Sequence, residues 1–366
     1  MTSQTGQGAS RRLIVIGPSA TGVRTLRGAL ITDVKAHGHQ VHVLTPRVDG
    51  HDVLALDALG AGVATLHLKP DGFSLWPARA VLKKLAAGIA GIAPHAVLAD
   101  GASLVPLVVS AAVRARVPRI AVSLSDRDGG PLPSPVYRAL KDAHVIIAHN
   151  AEDERAVAKI DGANGKILRL PGAGADLDGF GALPLPPVTG EIVFAMAAPL
   201  IKNNGVLEFC EAAHKLMTEG AAARFVLAGT FGPGADALSP DVLARYSGAV
   251  TYAGPGDDLK ALLAGVHVAV SASYREDMPY TVLQALAAGR PAIVTDIPGS
   301  RETVDEMVNG TLFPARDSAA LADAFRRILK RKDLIPAMAR ASRSKAERHF
   351  AQSAVNAALI AALELT

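Results

Sequence analysis

Glu276 is the residue best placed to do chemistry. It follows a buried-strand pattern, VHVAVSAS, and precedes a helix that opens near Pro279 and stops at Gly289. Pro291 forbids continuation of that helix, a second strand (AIVTD) follows, and the loop at Pro298-Gly299 leads into another helix. This order sets a carboxylate and two helix N-termini at the carboxyl ends of parallel strands, where open α/β sheets bind ligands. The unpaired N–H groups and positive dipole end of a helix N-terminus favour diphosphates. An ionised carboxylate beside them accepts paired, charge-assisted hydrogen bonds from vicinal hydroxyls. The competing reading is that Glu276 or Asp277 only caps the helix that follows.

The elements needed to hold such a site recur through the chain. Apolar runs of strand length come about every thirty residues: LIVIGP, QVHVLTP, VATLHL, AVLAD, RIAVSLS, HVIIAHN and KILRLP, with helical periodicity between them. Continuous apolar strands alternating with helices indicate parallel sheets covered on both faces. The pattern breaks at PGAGADLDGFGALPLPPVTGE, a Gly/Pro/Asp-rich boundary, and resumes as IVFAMAA, RFVLAGT, VTYAG, VHVAVSAS, AIVTD and TLFPA. The expected fold class is α/β, with two doubly wound Rossmann-like domains and a deep cleft between them. The expected bounds are residues 1–185, residues 186–345 and a C-terminal helix over residues 346–366.

Composition sets limits. At 366 residues the chain is long enough for two domains, and 49% of it is apolar, so core size is no obstacle. A lone cysteine, Cys210, excludes an intramolecular disulfide and suits a reducing compartment. No apolar run approaches the ~20 residues that span a bilayer. The polar start MTSQTGQGAS lacks the apolar stretch of a secretory signal, so a cytoplasmic location is expected. Residues 1–150 carry 16 Lys/Arg against nine Asp/Glu, a net of +7, while the remainder nets −3. An anionic membrane surface or lipid-diphosphate acceptor would fit a basic first half, as would ordinary surface variation. Basic residues are not interleaved with aromatics, which leaves nucleic-acid binding unsupported.

The residues around Glu276 resemble the signature of the retaining GT-B glycosyltransferases of the family-4 type: Glu, seven residues, Glu, a helix, a Pro-initiated strand and a Pro-Gly-x-x-Glu loop. Here these are Glu276, Gln284 in place of the second Glu, and Pro298-Gly299 with Glu302. Arg27-Gly28 and Gly38-His39 resemble the family's first half. Asn150 with Glu152-Asp153, Leu170-Pro171-Gly172 with Asp176-Leu177, and Gly254 with Asp257-Asp258-Leu259 resemble later segments. The closest-looking members build bacterial surface polysaccharides. The resemblance implies a hexosyltransferase-type enzyme (EC 2.4) with a nucleotide-sugar donor, most simply UDP-linked. It implies a lipid-linked saccharide acceptor, retention of configuration and no metal requirement.

Carried onto this sequence, the resemblance gives Glu276 the sugar, and the main chain of Asp277, Met278, Pro279, Tyr280 and Thr281 the diphosphate and sugar. Gln284 would meet the ribose without the charge assistance of a Glu. Gly22, in the first βα turn, reads equally as a close approach to phosphate and as an ordinary turn. Gly254 and Glu302 complete the donor set. The family's diphosphate Arg and Lys fall on Pro199 and Asn204, so both cations are missing; Lys202 on the same loop could substitute, as could Arg275 or Arg301. That loss motivates the alternative of a catalytically degraded binding or scaffold protein. A nucleotide-sugar epimerase is a second rival.

Other signals are weaker. Asp126-Arg127-Asp128 spells the Asp-x-Asp of metal-dependent glycosyltransferases of the other common fold, where it would hold Mg²⁺ or Mn²⁺. It reads here as a polar, cleft-facing loop. His37, His39 and His42 straddle a helix end and a strand and share no face. The segment Trp76 to Ala93 is a basic amphipathic helix, either packed on a sheet or laid on the inner membrane surface.

Overall fold

The computed structural model describes residues 9–46, 50–66, 79–125, 132–163, 165–181, 183–232, 236–256 and 258–366. The chain divides into two compact units. Unit 1 is Met1–Ala173 with Ala354–Thr366, and unit 2 is Gly174–Ser353.

Unit 1 alternates strand and helix: β1 Arg12–Ile16, α1 Ala20–Ala36, β2 Gln40–Thr45, α2 Gly50–Ala58, β3 Gly62–Thr65, α3 Arg79–Ile92, β4 Ala96–Asp100, α4 Val105–Arg114, β5 Arg119–Ser123, α5 Ser134–Leu140, β6 Val145–Ala148, α6 Ala151–Ala158 and β7 Ile167–Arg169. Its seven strands are ordered β3-β2-β1-β4-β5-β6-β7 and pair in parallel. Residues of β4 are buried along its whole length, as expected of a strand with helices on both faces. The end of the chain belongs here too. Val355, Leu359, Ile360, Leu363 and Leu365 share one core with Leu13, Val15 and Leu30.

Unit 2 repeats the scheme: β8 Ile192–Ala197, α7 Val206–Thr218, β9 Ala223–Ala228, α8 Pro240–Ala244, β10 Val250–Tyr252, α9 Leu259–Ala264, β11 Val268–Ser271, α10 Tyr280–Ala287, β12 Ala292–Thr295, α11 Pro298–Arg301, β13 Gly310–Phe313, α12 Ser318–Lys330 and α13 Ile335–His349. A last helix, α14 Gln352–Ala362, begins at its edge. The six strands are ordered β10-β9-β8-β11-β12-β13. All thirteen apolar runs of the sequence are strands. In both sheets the order reverses beside the first strand, at β1/β4 and at β8/β11, and a doubly wound sheet takes its ligand at such a switch point.

One expectation changes, and one open reading is resolved. The helix after Pro298-Gly299 is a single turn, α11, so it offers no extended helix dipole. The basic amphipathic segment is described from Arg79 onward, where Leu85, Ala86 and Ile89 are buried and Val81, Leu82 and Ile92 pack on the same core. Its apolar stripe therefore faces protein. No described helix is long and apolar enough to cross a membrane.

Candidate functional site

The carboxyl ends of β8 and β11 bring most of the expected residues of unit 2 together. The loop after β11 is held from two sides by backbone. At Gly205, before α7, φ is 70° and an added Cβ would lie 2.0 Å from the carbonyl oxygen of Ala272. At Gly299 an added Cβ would lie 2.0 Å from the Asp277 oxygen and 2.6 Å from the Glu276 oxygen. Only glycine admits approaches this close. The Pro-Gly pair seen in the sequence is thus a seat for the Glu276–Asp277 backbone. The Thr295 hydroxyl donates to the Ser273 oxygen (2.6 Å), and the Ser273 hydroxyl donates to the Arg275 oxygen (2.7 Å).

Glu276 does not cap α10. Pro279 occupies the N-cap position and no side chain caps the helix. The Glu276 carboxylate instead accepts from the Ser271 hydroxyl at 3.1 Å. The residue as a whole is half-buried, but its carboxyl is enclosed. Burial pushes that carboxyl up to about 7 from 4.5, and the Ser271 bond pulls the other way. A carboxyl that is shielded from water, poorly compensated and free of structural duty is the kind that marks a site. Asp277, Met278, Pro279, Tyr280 and Thr281 follow directly, with Met278 and Pro279 buried beneath the amino end of α10.

Lys202 and Asn204 lie in the 3₁₀ turn between β8 and α7, on the loop whose Gly205 meets Ala272. Lys202 is exposed. Asn204 donates its side-chain amide to the Pro199 oxygen at 2.8 Å, so the two residues at the family's cation positions hold each other. Gly254 has φ 86°, and its oxygen accepts from Gly229 N (2.9 Å), joining the loops after β9 and β10. Glu302 follows α11 and is half-buried.

Gln284 lies inside unit 2. It is fully buried. Its Oε1 accepts from Asp176 N (2.9 Å) and its Nε2 donates to the Gly174 oxygen (3.0 Å). Both ends of the amide are thus engaged by backbone, and the side chain fastens the segment Gly174–Asp176. That segment in turn pairs with the end of unit 2 through the Ala175–Ala351 bridge.

In unit 1, Gly22 donates its N–H to the hydroxyl of Ser19, the N-cap of α1 (3.0 Å). Asp126 and Asp128 lie outside the described residues. Among the described residues no cluster of three His, Cys, Asp or Glu side chains could hold a metal.

Sequence reasoning missed two polar clusters. In unit 1, Arg27 donates two bonds of 2.9 Å to the Asp100 carboxylate and a third to the Ser123 hydroxyl (3.2 Å). His149 completes the set, with Nε2 2.8 Å from Ser123 Oγ and Nδ1 3.2 Å from the Leu170 oxygen. A carbonyl only accepts, so Nδ1 carries the proton and Nε2 accepts from Ser123. Burial, reinforced by Arg27, drives His149 down to about 4, so it stays neutral. Burial would raise Asp100, but Arg27's charge and hydrogen bonds, with Ser123, outweigh it and hold the carboxyl low. An Arg within the apolar stripe Val23–Arg27–Leu30–Ile31 was the available signal.

In unit 2, the Tyr274 phenol donates to Glu208 in the first turn of α7, and the guanidinium of Arg316 lies 4.7 Å from the Tyr274 ring centre. Nothing in the sequence links these residues.

Against this geometry, residues 191–331 match the family model described as glycosyl transferases group 1. The D-inositol 3-phosphate glycosyltransferase of Geodermatophilus obscurus is 27% identical over a gapped alignment of 266 positions that covers 64% of this chain and 57% of that protein. The N,N'-diacetylbacillosaminyl-diphospho-undecaprenol alpha-1,3-N-acetylgalactosaminyltransferase of Campylobacter jejuni is 26% identical over a gapped alignment of 207 positions that covers 54% of each chain. The chain thus spans little more than half the length of the curated relatives it matches. Among solved structures, a glycosyltransferase from Rickettsia africae superposes with a TM-score of 0.79 at 17% identity, covering 98% of this chain and 99% of that one. Anabaena HepE in complex with UDP-glucose gives 0.77 at 16% identity, covering 97% and 100%. At these identities the likeness shows the fold.

Proposed function

The chain has the GT-B fold and carries a glycosyltransferase group 1 domain over residues 191–331, and from that premise we propose that it transfers a hexosyl group from a UDP-sugar to a lipid-linked saccharide, with retention, in surface polysaccharide synthesis. Unit 2 holds the donor and unit 1 the acceptor. The bond from the anomeric carbon to the diphosphate breaks, and a bond to an acceptor hydroxyl oxygen forms. The hydroxyl's proton leaves with the diphosphate, whose growing charge is met by main-chain N–H groups at the amino end of α10. Glu276 accepts hydrogen bonds from the sugar hydroxyls and sits beside the positive charge developing on the ring.

The observation that carries this reading is the Glu276 carboxyl, enclosed at the β8/β11 switch point yet not used as a helix cap. Support comes from a relative named for an undecaprenol-linked substrate and a structural neighbour that holds UDP-glucose. In this reading no metal is required, and the chain works at the cytoplasmic face of the membrane.

Calorimetric titration of the full chain with UDP and UDP-sugars, set against Glu276→Ala, tests it. UDP binding that persists in the variant while UDP-sugar binding and transfer are lost supports the assignment. Absence of binding across the common nucleotide donors sinks it. A binding protein without activity is the second reading, favoured by the mutual engagement of Asn204 and Pro199. It predicts donor affinity with neither transfer nor hydrolysis.

A further inference from the structure

Arg316 follows β13 at φ 62°, in the left-handed region where a side chain costs free energy and glycine does not. Backbone geometry argues for glycine, so what the position retains is the side chain. Strain of this sort collects at functional sites.

The side chain is held in a defined place. Its guanidinium lies over the ring of Tyr274, whose phenol donates to Glu208 and whose N–H donates to the Asn203 oxygen at 2.9 Å. The ring therefore bridges from the Glu276 loop to the glycine turn before α7. Burial, then Glu208, push the Tyr274 phenol above its usual range, so the ring stays neutral and its face attracts the cation. The other Glu208 oxygen is buried and has no partner among the described residues. Arg316 is exposed and makes no ion pair among the described residues. By contrast, Arg301 is paired with Asp296.

We propose that Arg316, braced on Tyr274 and Glu208, is the cation that meets the diphosphate of the nucleotide donor, standing in for the two cations replaced by Pro199 and Asn204. The proposal rests on the reading of unit 2 as a nucleotide-sugar site. It makes Arg316 a binding residue delivered from an unexpected strand, with Tyr274 and Glu208 as its positioning residues.

The test compares the full chain with Arg316→Gly and Arg316→Lys. UDP binding is measured by calorimetry, uridine binding by saturation-transfer NMR, and the unfolding midpoint by calorimetric scan. Arg316→Gly is expected to bind UDP at least about tenfold more weakly, as befits one lost charge-assisted contact. It should bind uridine unchanged and unfold no earlier than the parent, since glycine relieves the backbone. Arg316→Lys should recover part of the UDP affinity. Parental UDP affinity in Arg316→Gly overturns the proposal and leaves the donor site standing. Equal losses for UDP and uridine with a lowered midpoint assign Arg316 a structural role and overturn it too. A parent chain that binds neither UDP nor UDP-glucose overturns the donor reading and this proposal together.

Discussion

The two units place polar groups at the same point of the same topology and treat them in opposite ways. At the β1/β4 switch point of unit 1, Arg27, Asp100, Ser123 and His149 form a closed set in which each group answers another, and Arg27 and Asp100 are each 3% exposed. Around the loop after β11 in unit 2, Glu276 keeps one weak partner, Glu208 leaves an oxygen unanswered, and Arg316, reaching Tyr274 from beyond β13, holds a strained backbone. A closed network rigidifies, and an incomplete one costs stability until something completes it. The contrast supports the proposed reading, in which unit 2 takes the donor and the closed network of unit 1 is scaffold.

The largest effect expected is on the scaffold. Arg27→Ala leaves the Asp100 carboxylate buried without its guanidinium and should cost about 3–5 kcal/mol, read by denaturant unfolding. A loss below about 1 kcal/mol would put unit 1's network on a par with a surface pair and erase the contrast.

Next comes the pH response, where the units should differ in sign. Glu276 titrates near 7 folded against 4.5 unfolded, so the folded chain keeps a proton that the unfolded chain has lost. Its contribution to stability is therefore present at low pH and falls as pH rises through that window, by up to about 3 kcal/mol. Glu276→Gln should abolish that fall and stabilise the chain at pH 8, while lowering transfer by about a hundredfold or more. His149 titrates near 4 folded against 6.5 unfolded, so its contribution is present above 6.5 and lost as pH falls toward 4. Imidazole NMR should find it neutral at pH 5.5. A charged His149 at that pH would remove the difference between the units.

Gln284→Glu is a smaller probe. It puts a carboxylate oxygen against the Gly174 carbonyl where an amide donates now. The lost bond and added repulsion should cost about 1–3 kcal/mol, with UDP affinity unaffected if the side chain's only duty is to hold the Gly174–Asp176 backbone. A variant of parental stability that binds UDP more tightly would return Gln284 to the ribose. The smallest effect is expected from a chelator. If amides and Arg316 neutralise the diphosphate, excess EDTA leaves turnover unchanged, and a loss restored by Mn²⁺ would move attention to Asp126 and Asp128.

The central strands were legible because they are continuous apolar runs buried on both faces, and a run such as AVLAD admits few other fates, whereas the edge strands β3, β7 and β10 are largely exposed and were read from their place in the alternation. Glu276 was legible because a strand, an acidic residue and a helix-opening proline come in immediate succession. The extent of α11 was not, since Pro298 signals where a helix starts and says nothing of where it stops. The Glu208–Tyr274 pair joins residues 66 apart, and the Gln284 contacts join residues 108 and 110 apart. Such pairings depend on sheet order, which local pattern does not encode. Arg316 was hidden for a further reason: a left-handed residue that is not glycine leaves no mark in the sequence.

Because unit 1 draws Val355, Leu359 and Leu365 into its core, its folding is tied to the direction of synthesis. The continuous stretch Gly174–Ser353 can complete its own core as soon as it clears the ribosome. The earlier-made stretch must wait with an apolar face uncovered until residue 365 emerges. That interval is when the nascent chain is most exposed to aggregation, and a truncation that removes Val355 to Leu365 would leave the face uncovered for good.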